Sequence, residues 1–125
     1  MPLSWRAWSI GDDMEITVEE AAVGLAKVVL RGRFDTTGAV VVELPFNKIV
    51  REHRRIIVDL CAVTFLSSYA IRVLLVGAKI VNEKGGKLVI LCPDGNVAKV
   101  LKSTRTDALI PTFQTQDAAV AACAS

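Results

Sequence analysis

The segment at residues 55–60 restricts the fold of this chain more than any other. It reads Arg-Ile-Ile-Val-Asp-Leu, a mainly apolar segment rich in β-branched residues, in which apolar and polar positions do not alternate. A run of this kind is typical of a central strand that is covered on both faces. We therefore expect a sheet with helices packed against it and with this segment inside it.

Strand and helix signals alternate on both sides of this segment. Residues 25–34 alternate between apolar and polar positions, as in a half-buried strand. Gly85-Gly86 predicts the end of a helix, because helices commonly end at a residue with a left-handed backbone conformation, which glycine adopts most easily. The predicted elements are an edge strand at 14–18, a strand at 25–34, a helix from the turn at 35–38 to about residue 53 that Pro45 should kink or divide, the strand at 55–60, a helix at 68–84, a strand at 87–92, a short helix capped by Asp94 and running through residue 102, a strand at 110–115 and a terminal helix at 116–123. The order β-β-α-β-α-β-α-β-α predicts an α/β domain with a mixed, largely parallel sheet flanked by helices.

Length, charge and cysteine content narrow the possible functions. The 125 residues fit a single domain, 1–125, that is long enough to bury a core. A net charge of +2, with basic residues spread along the chain, is too small to indicate a nucleic-acid surface. No apolar run approaches the roughly 20 residues of a membrane span, and the first residues lack the apolar core of a signal peptide. The three cysteines follow no metal or redox spacing, which predicts buried free thiols and a cytoplasmic protein.

The predicted helix at 68–84 has apolar residues on two opposite faces. At about 100° per residue, one stripe has the spacing of a core-facing side and a second lies nearly opposite. The second stripe comprises Tyr69, Val73, Val76 and Ile80. Either another element of the domain covers this stripe, as is usual for two-faced helices, or part of it stays exposed and binds a partner protein.

Two serines, Ser67 and Ser68, stand at the start of this helix. Helix capping alone would explain both hydroxyls. The alternative is phosphorylation, which would add a charge of about −1.5 to −2 beside the second apolar stripe. An interface that accepts a neutral hydroxyl would then have to desolvate a dianion. One modification could therefore remove binding without unfolding the domain.

A resemblance to STAS domains rests on residues 57–75, which read Ile-Val-Asp-Leu-Cys-Ala-Val-Thr-Phe-Leu-Ser-Ser-Tyr-Ala-Ile-Arg-Val-Leu-Leu. This family comprises the anti-sigma-factor antagonists and the related cytoplasmic domains of sulfate transporters. Residues 30–35, 85–90 and 100–119 resemble other parts of the family pattern, in the same order. The resemblance covers about residues 14–123 and leaves 1–13 as an N-terminal extension. The chain departs from the pattern at Ser67, where the family usually has Asp, and at Ala70, where it usually has Gly.

The resemblance implies a role in bacterial partner switching. A STAS protein of this kind binds an anti-sigma factor that is also a serine kinase of the histidine-kinase-like ATPase type. The kinase phosphorylates the serine that opens the helix, the pair dissociates, and a serine phosphatase restores binding. Mapped onto this sequence, the acceptor is Ser68, with Ser67 as the alternate. The expected partner-binding residues are Asp35, Ser67, Ser68, Tyr69, Arg72, Val73, Val76 and Ile80.

Catalytic chemistry is not indicated by the sequence. His53 is the single histidine and lies in a charged stretch, and Asp35 and Asp59 are better explained as turn and cap residues than as an acid–base pair. Neither serine lies in a Gly-x-Ser-x-Gly motif, residues 84–87 are no phosphate loop, and no residues have metal-ligand spacing. We therefore expect a binding protein without enzymatic activity, cofactor or metal.

A second hypothesis is a sensory or scaffold STAS domain that binds a small ligand or assembles with itself. In that case Ser68 would be only a capping residue. A ligand retained through purification, or a stable oligomer that is insensitive to Ser68→Asp, would favour this alternative.

Overall fold

The computed structural model describes residues 6–10, 14–92 and 95–124, with side chains described within 14–92 and 95–123. In chain order the elements are β1 (Arg6–Ile10), β2 (Met14–Ala22), β3 (Leu25–Phe34), α1 (Thr36–Glu52), β4 (Arg55–Leu66), α2 (Ser68–Glu83), β5 (Lys87–Leu91), α3 (Asn96–Ser103), α4 (Thr106–Leu109), β6 (Thr112–Phe113) and α5 (Gln116–Ala124).

Within these described ranges the strands form one six-stranded sheet in the order β1-β2-β3-β4-β5-β6. The first two pairings, β1–β2 and β2–β3, are antiparallel, whereas β3–β4, β4–β5 and β5–β6 are parallel. A parallel pair needs a connection that returns to the same end of the sheet, and α1, α2 and the α3–α4 pair lie in these connections. The prediction of a mixed, largely parallel sheet flanked by helices is confirmed.

Strand β4 is buried on both faces over its first half. Ile56 and Val58 belong to the larger core, which also contains residues of α1, α2 and α3. Ile57 belongs to a smaller core on the other face, which it shares with Ala119 and Cys123 of α5. All three strand residues are 0% exposed, and burying such a side chain contributes about 1.5–3 kcal/mol. Cover on both sides explains why residues 55–60 show no apolar–polar alternation.

Helices α1 and α2 pack side by side over the larger core. Phe46 of α1 is 0% exposed, and a Cβ added to Gly77 of α2 would stand 2.5 Å from Phe46 Cε2. The helices can approach this closely because Gly77 has no side chain. At the other end, Lys84 Nζ donates to three carbonyl groups at the C-terminus of α1 over 2.6 to 2.9 Å. These contacts fix the two helices relative to one another.

Three predictions about the elements were wrong. The strand predicted at 14–18 is longer and is not at the edge, because β1 from the N-terminal extension pairs with it in the register Arg6↔Val18 to Ile10↔Met14. Pro45 does not divide α1, which is continuous. Pro45 has no N–H group to donate to the carbonyl group of Val41. Because Val41 is 41% exposed, water can reach that side of the helix and donate to this carbonyl group instead. Strand β4 continues to Leu66 because its second half pairs with the end of β3.

Smaller differences concern the last third of the chain. The strand predicted at 110–115 is reduced to two residues, and the short helix α4 was not predicted. Asp94, the predicted cap of α3, lies outside the described residues. The helices predicted at 68–84 and 116–123 correspond to α2 and α5.

Candidate protein-binding site

The carboxyl ends of β3 and β4 meet at one edge of the sheet, and a helix starts from each. Phe34 pairs with Leu66, and the Ser67 N–H donates to the Phe34 carbonyl at 3.0 Å. Directly after β3, Asp35 caps α1 by accepting from the Gly38 N–H at 2.8 Å. The starts of α1 and α2 are therefore held next to one another. In open α/β sheets this edge is where ligands usually bind.

Ser67 and Ser68 have different roles at the start of α2. Ser67 has an extended backbone (φ −81°, ψ 167°), and its Oγ accepts from the Ala70 N–H at 3.1 Å, which makes it the N-cap. Ser68 is the first helical residue, and its side chain is exposed. Over the part of the chain that the structure describes, the Ser68 hydroxyl makes no hydrogen bond. It is therefore accessible to another molecule, while the hydroxyl of Ser67 is engaged in capping.

An open depression lies beside Ser68, between α1 and α2. It measures about 550 Å³ and is lined by Glu43, Ser68, Tyr69 and Arg72. The Tyr69 hydroxyl donates to Glu43 Oε1 at 2.8 Å, so a hydrogen bond joins the two helices here. This hydrogen bond raises the pKa of Tyr69, and desolvation and the negative charge of Glu43 act in the same direction.

The second apolar stripe of α2 is only partly exposed. Val73 is 1% exposed and belongs to the larger core, so the folded domain does not present its side chain on the surface where a partner was expected to contact it. The cause is α1, because Phe46 lies over Gly77, one turn further along α2. Val76 remains 40% exposed, and Ile80 is half-buried. Intramolecular cover thus accounts for Val73, while Val76 stays available to another protein.

Helix α1 adds exposed apolar residues that the sequence analysis missed. Val40 is 50% exposed and Leu44 is 80% exposed. Four residues apart on a helix, they lie on the same side. A signal was present in the sequence, since neither can share a face with the core residues Val42 and Phe46 at about 100° per residue. Helix α1 therefore presents exposed apolar side chains of its own, in addition to Val76 of α2.

The remaining expected partner-binding residues lie at different distances from the depression. Asp35 is at the same sheet edge, but its carboxylate caps α1 and forms an ion pair with Arg33 at 3.4 Å. Ile80 lies twelve residues beyond Ser68, about 18 Å along the helix. The structure thus groups Ser68, Tyr69 and Arg72 with Glu43, places the caps Asp35 and Ser67 at the nearby edge, and leaves Ile80 apart from them.

Known proteins that are similar to this chain share its fold. The family model of the STAS domain matches residues 17–119. The chain belongs to the STAS domain family. No curated protein matches it significantly over any part.

Several solved structures resemble this STAS domain over nearly their whole length. An anti-sigma factor antagonist from Mycobacterium paratuberculosis has a TM-score of 0.83 and 23% identity, and the match covers 94% of this chain and 100% of that one. The Bacillus cell fate determinant SpoIIAA in its phosphorylated form has a TM-score of 0.64 and 15% identity, over 84% and 96% of the two chains. The anti-sigma factor antagonist SpoIIAA in its unphosphorylated form gives 0.68 and 16%, over 84% and 92%.

Other ionisable side chains of this STAS domain lie away from the depression. Asp59 forms an ion pair with Lys27 at 3.5 Å and accepts from the Cys61 N–H at 2.8 Å. Cys92 and Cys123 are buried as expected, but Cys61 is exposed because it lies where β4 extends beyond β5. Partial desolvation of its thiol and the neighbouring Asp59 still raise the pKa of Cys61 to about 12. His53 Nδ1 lies 3.0 Å from the Ile49 carbonyl oxygen.

Among the described residues, no group of three or more His, Cys, Asp or Glu could hold a metal ion. In the same part of the chain, none of the helices has the length and apolar character needed to cross a membrane.

Proposed function

We propose that this STAS domain is an anti-sigma-factor antagonist that binds an anti-sigma serine kinase at the depression beside Ser68, and that phosphorylation of Ser68 ends this binding. One observation carries the proposal. Ser67 caps α2, while the exposed Ser68 hydroxyl makes no hydrogen bond within the described residues. Modifying Ser68 therefore leaves the start of the helix intact. The SpoIIAA structures, one of them phosphorylated, support the proposal because they have the same fold.

The switch needs one phosphoryl transfer and its reversal. The partner, of the histidine-kinase-like ATPase type, transfers the γ-phosphoryl group of ATP to Ser68 Oγ. The new P–O bond forms as the bond to the β-phosphate oxygen breaks, the hydroxyl proton leaves, and ADP is released. A serine phosphatase hydrolyses the ester and restores the hydroxyl. The domain itself supplies the acceptor and no catalytic group, and all three proteins act in the bacterial cytoplasm.

Binding in the unmodified state rests on the exposed apolar residues of α1 and α2. Val40, Leu44 and Val76 are each at least 40% exposed. Burying a few hundred Å² of such surface contributes several kcal/mol at about 25 cal/mol per Å², before the costs of association. A phosphoryl group on Ser68 adds a charge of about −1.5 to −2 at the start of α2, the helix that carries Val76. Desolvating that charge would remove much of the gain, and each 1.4 kcal/mol lost weakens binding about tenfold.

Mass spectrometry and binding measurements test the proposal. The domain is incubated with a candidate anti-sigma kinase and Mg²⁺-ATP, and the modified residue is located by peptide sequencing. We expect the wild-type domain to carry one phosphoryl group, on Ser68. The Ser67→Ala variant should be phosphorylated in the same way, and the Ser68→Ala variant should carry no phosphoryl group. In the absence of ATP, the Ser68→Ala variant should bind the kinase with the affinity of the wild type, and the Ser68→Asp variant should bind it at least tenfold more weakly. Modification of Ser67 alone, or equal affinity of Ser68→Asp, would refute the switch.

Ligand sensing is a second candidate function, because a larger open cavity lies between α3, β6 and α5. It measures about 920 Å³, and its lining includes Lys99, Lys102 and Phe113. Asp107 also lines the cavity, so two lysines outnumber one carboxylate beside the aromatic ring, which suits an anionic ligand with an apolar part. Native mass spectrometry of the purified domain would reveal such a ligand, and Lys102→Ala should weaken its retention. This candidate would be favoured if the domain carries a ligand and the Ser68→Asp variant binds its partner with unchanged affinity.

A further inference from the structure

The hydrogen bond between Tyr69 and Glu43 joins the two long helices directly beside Ser68. Glu43 and Arg72 supply the two ionic side chains in the lining of the depression. A charge placed on Ser68 therefore meets one like charge and one opposite charge. Tyr69 is the single tyrosine of the chain, so spectroscopic signals from tyrosine report on this position alone.

We propose that Glu43 and Arg72 form a charge-selective pair around Ser68: a phosphoryl group on Ser68 pairs with Arg72 and repels Glu43, which releases Tyr69 from α1. The proposal rests on the proposed function, because it describes how the phosphorylated state differs from the unmodified one. A partner then loses more than access to a neutral hydroxyl. The charge of Arg72 is neutralised, and the Tyr69 side chain leaves its position over the groove between α1 and α2.

Arg72 is placed to receive the phosphoryl group. It follows Ser68 by four residues, the spacing at which side chains on a helix meet. It is exposed, and within the described ranges it has no ion pair to give up. Phosphate oxygens accept strong hydrogen bonds from a guanidinium group, and the N-terminus of α2 favours a negative charge as well.

Glu43 is the carboxylate that the phosphoryl group would displace. The other carboxylate at this edge, Asp35, is held by the Gly38 N–H and by Arg33. Glu43, in contrast, sits on the opposite wall of the depression, where its described contact is the Tyr69 hydroxyl. The raised pKa of Tyr69 agrees with a hydrogen bond to a charged acceptor. A dianion in the same depression makes that charged state less favourable.

The first test uses a domain with phosphoserine incorporated at position 68 during translation. The ³¹P NMR titration of this residue gives its second pKa, which is about 6 for an unperturbed phosphate ester. Arg72→Gln should raise this pKa by roughly 0.3 to 1 unit, because the opposite charge is lost. Glu43→Gln should lower it, because the like charge is lost. Glu83→Gln, at the exposed far end of α2, is the matched control and should leave it unchanged.

The second test follows Tyr69 itself by the ¹³C NMR shift of its ring carbon bonded to oxygen. In the phosphorylated wild type this shift should move to the position found in unmodified Glu43→Ala, where the acceptor is absent. In Glu43→Gln, which keeps an acceptor without a charge, phosphorylation should leave the shift unmoved. The proposal is overturned if phosphorylation leaves the ¹³C shift of Tyr69 unchanged in the wild type. It is also overturned if neither Arg72→Gln nor Glu43→Gln changes the second pKa of the phosphoserine.

These tests separate this inference from the proposed function. Phosphoserine is installed without a kinase, so the NMR measurements read the charge pair even if no kinase modifies Ser68. If kinases do modify Ser68 and the Tyr69 signal stays fixed, the switch stands and the charge pair is refuted.

Discussion

Replacing Ser67 with alanine removes the side chain that accepts from the Ala70 N–H at 3.1 Å, and leaves the first turn of α2 without its cap. Loss of such a cap typically lowers the free energy of unfolding by about 1 kcal/mol, within a range of roughly 0.5–2. An unfolding entropy of about 2.1 cal/mol/K per residue gives roughly 0.26 kcal/mol/K for 125 residues. The expected decrease in melting temperature is therefore about 4 °C.

Ser68→Ala is the matched control for this substitution. Ser68 is exposed and makes no hydrogen bond within the described residues, and alanine is the better helix former. We expect a change within about 0.5 kcal/mol, or roughly 2 °C. Differential scanning calorimetry and urea unfolding of both variants measure the contrast. If Ser68→Ala destabilised the domain as much as Ser67→Ala, the two serines would share the capping role and the division between them would be wrong.

Two further predictions concern the helices that form the site, and a third concerns a thiol away from it. Asp35→Ala should lower the free energy of unfolding by about 1 kcal/mol or more in urea unfolding, since α1 loses its cap; an unchanged midpoint would contradict this. Phe46→Ala should cost about 3–5 kcal/mol, whereas Leu44→Ala, two residues away and 80% exposed, should cost about 0.5 at most; similar values for both would refute the packing of Phe46 over Gly77. The Cys61 thiol, with its pKa raised from 9.0 to about 12, should react with iodoacetamide at pH 8 far more slowly in the folded domain than after unfolding; equal alkylation rates in both states would refute the raised pKa. The contribution of the protonated thiol to the free energy of unfolding should be present in full below pH 9 and lost as the pH rises towards 12.

The architecture could be predicted from the sequence because its strongest patterns have one cause each. Residues 56–58 are three consecutive apolar residues, without alternation, because β4 is covered by helices on both faces. Strand β1 could not be predicted in this way. It joins the sheet through main-chain pairing with β2, and five residues outside the family pattern give little information about such pairing.

The candidate site was predictable where one helix determines it and not where two helices meet. The position of Ser68 and Arg72 follows from the start and the period of α2. The burial of Val73 and the contact of Tyr69 with Glu43 depend on how closely α1 approaches, and that distance is set by Gly77 against Phe46. Helical periodicity describes each helix alone and contains no information about this pairing.

The most direct test of the switch is the affinity of the anti-sigma kinase for the domain with and without phosphoserine at position 68, measured by isothermal titration calorimetry. We expect the unmodified domain and Ser68→Ala to bind with similar dissociation constants. Phosphoserine at position 68 should weaken binding by about 100-fold or more, which corresponds to roughly 2.7 kcal/mol. Dissociation constants that agree within twofold for the modified and unmodified domains would contradict the account.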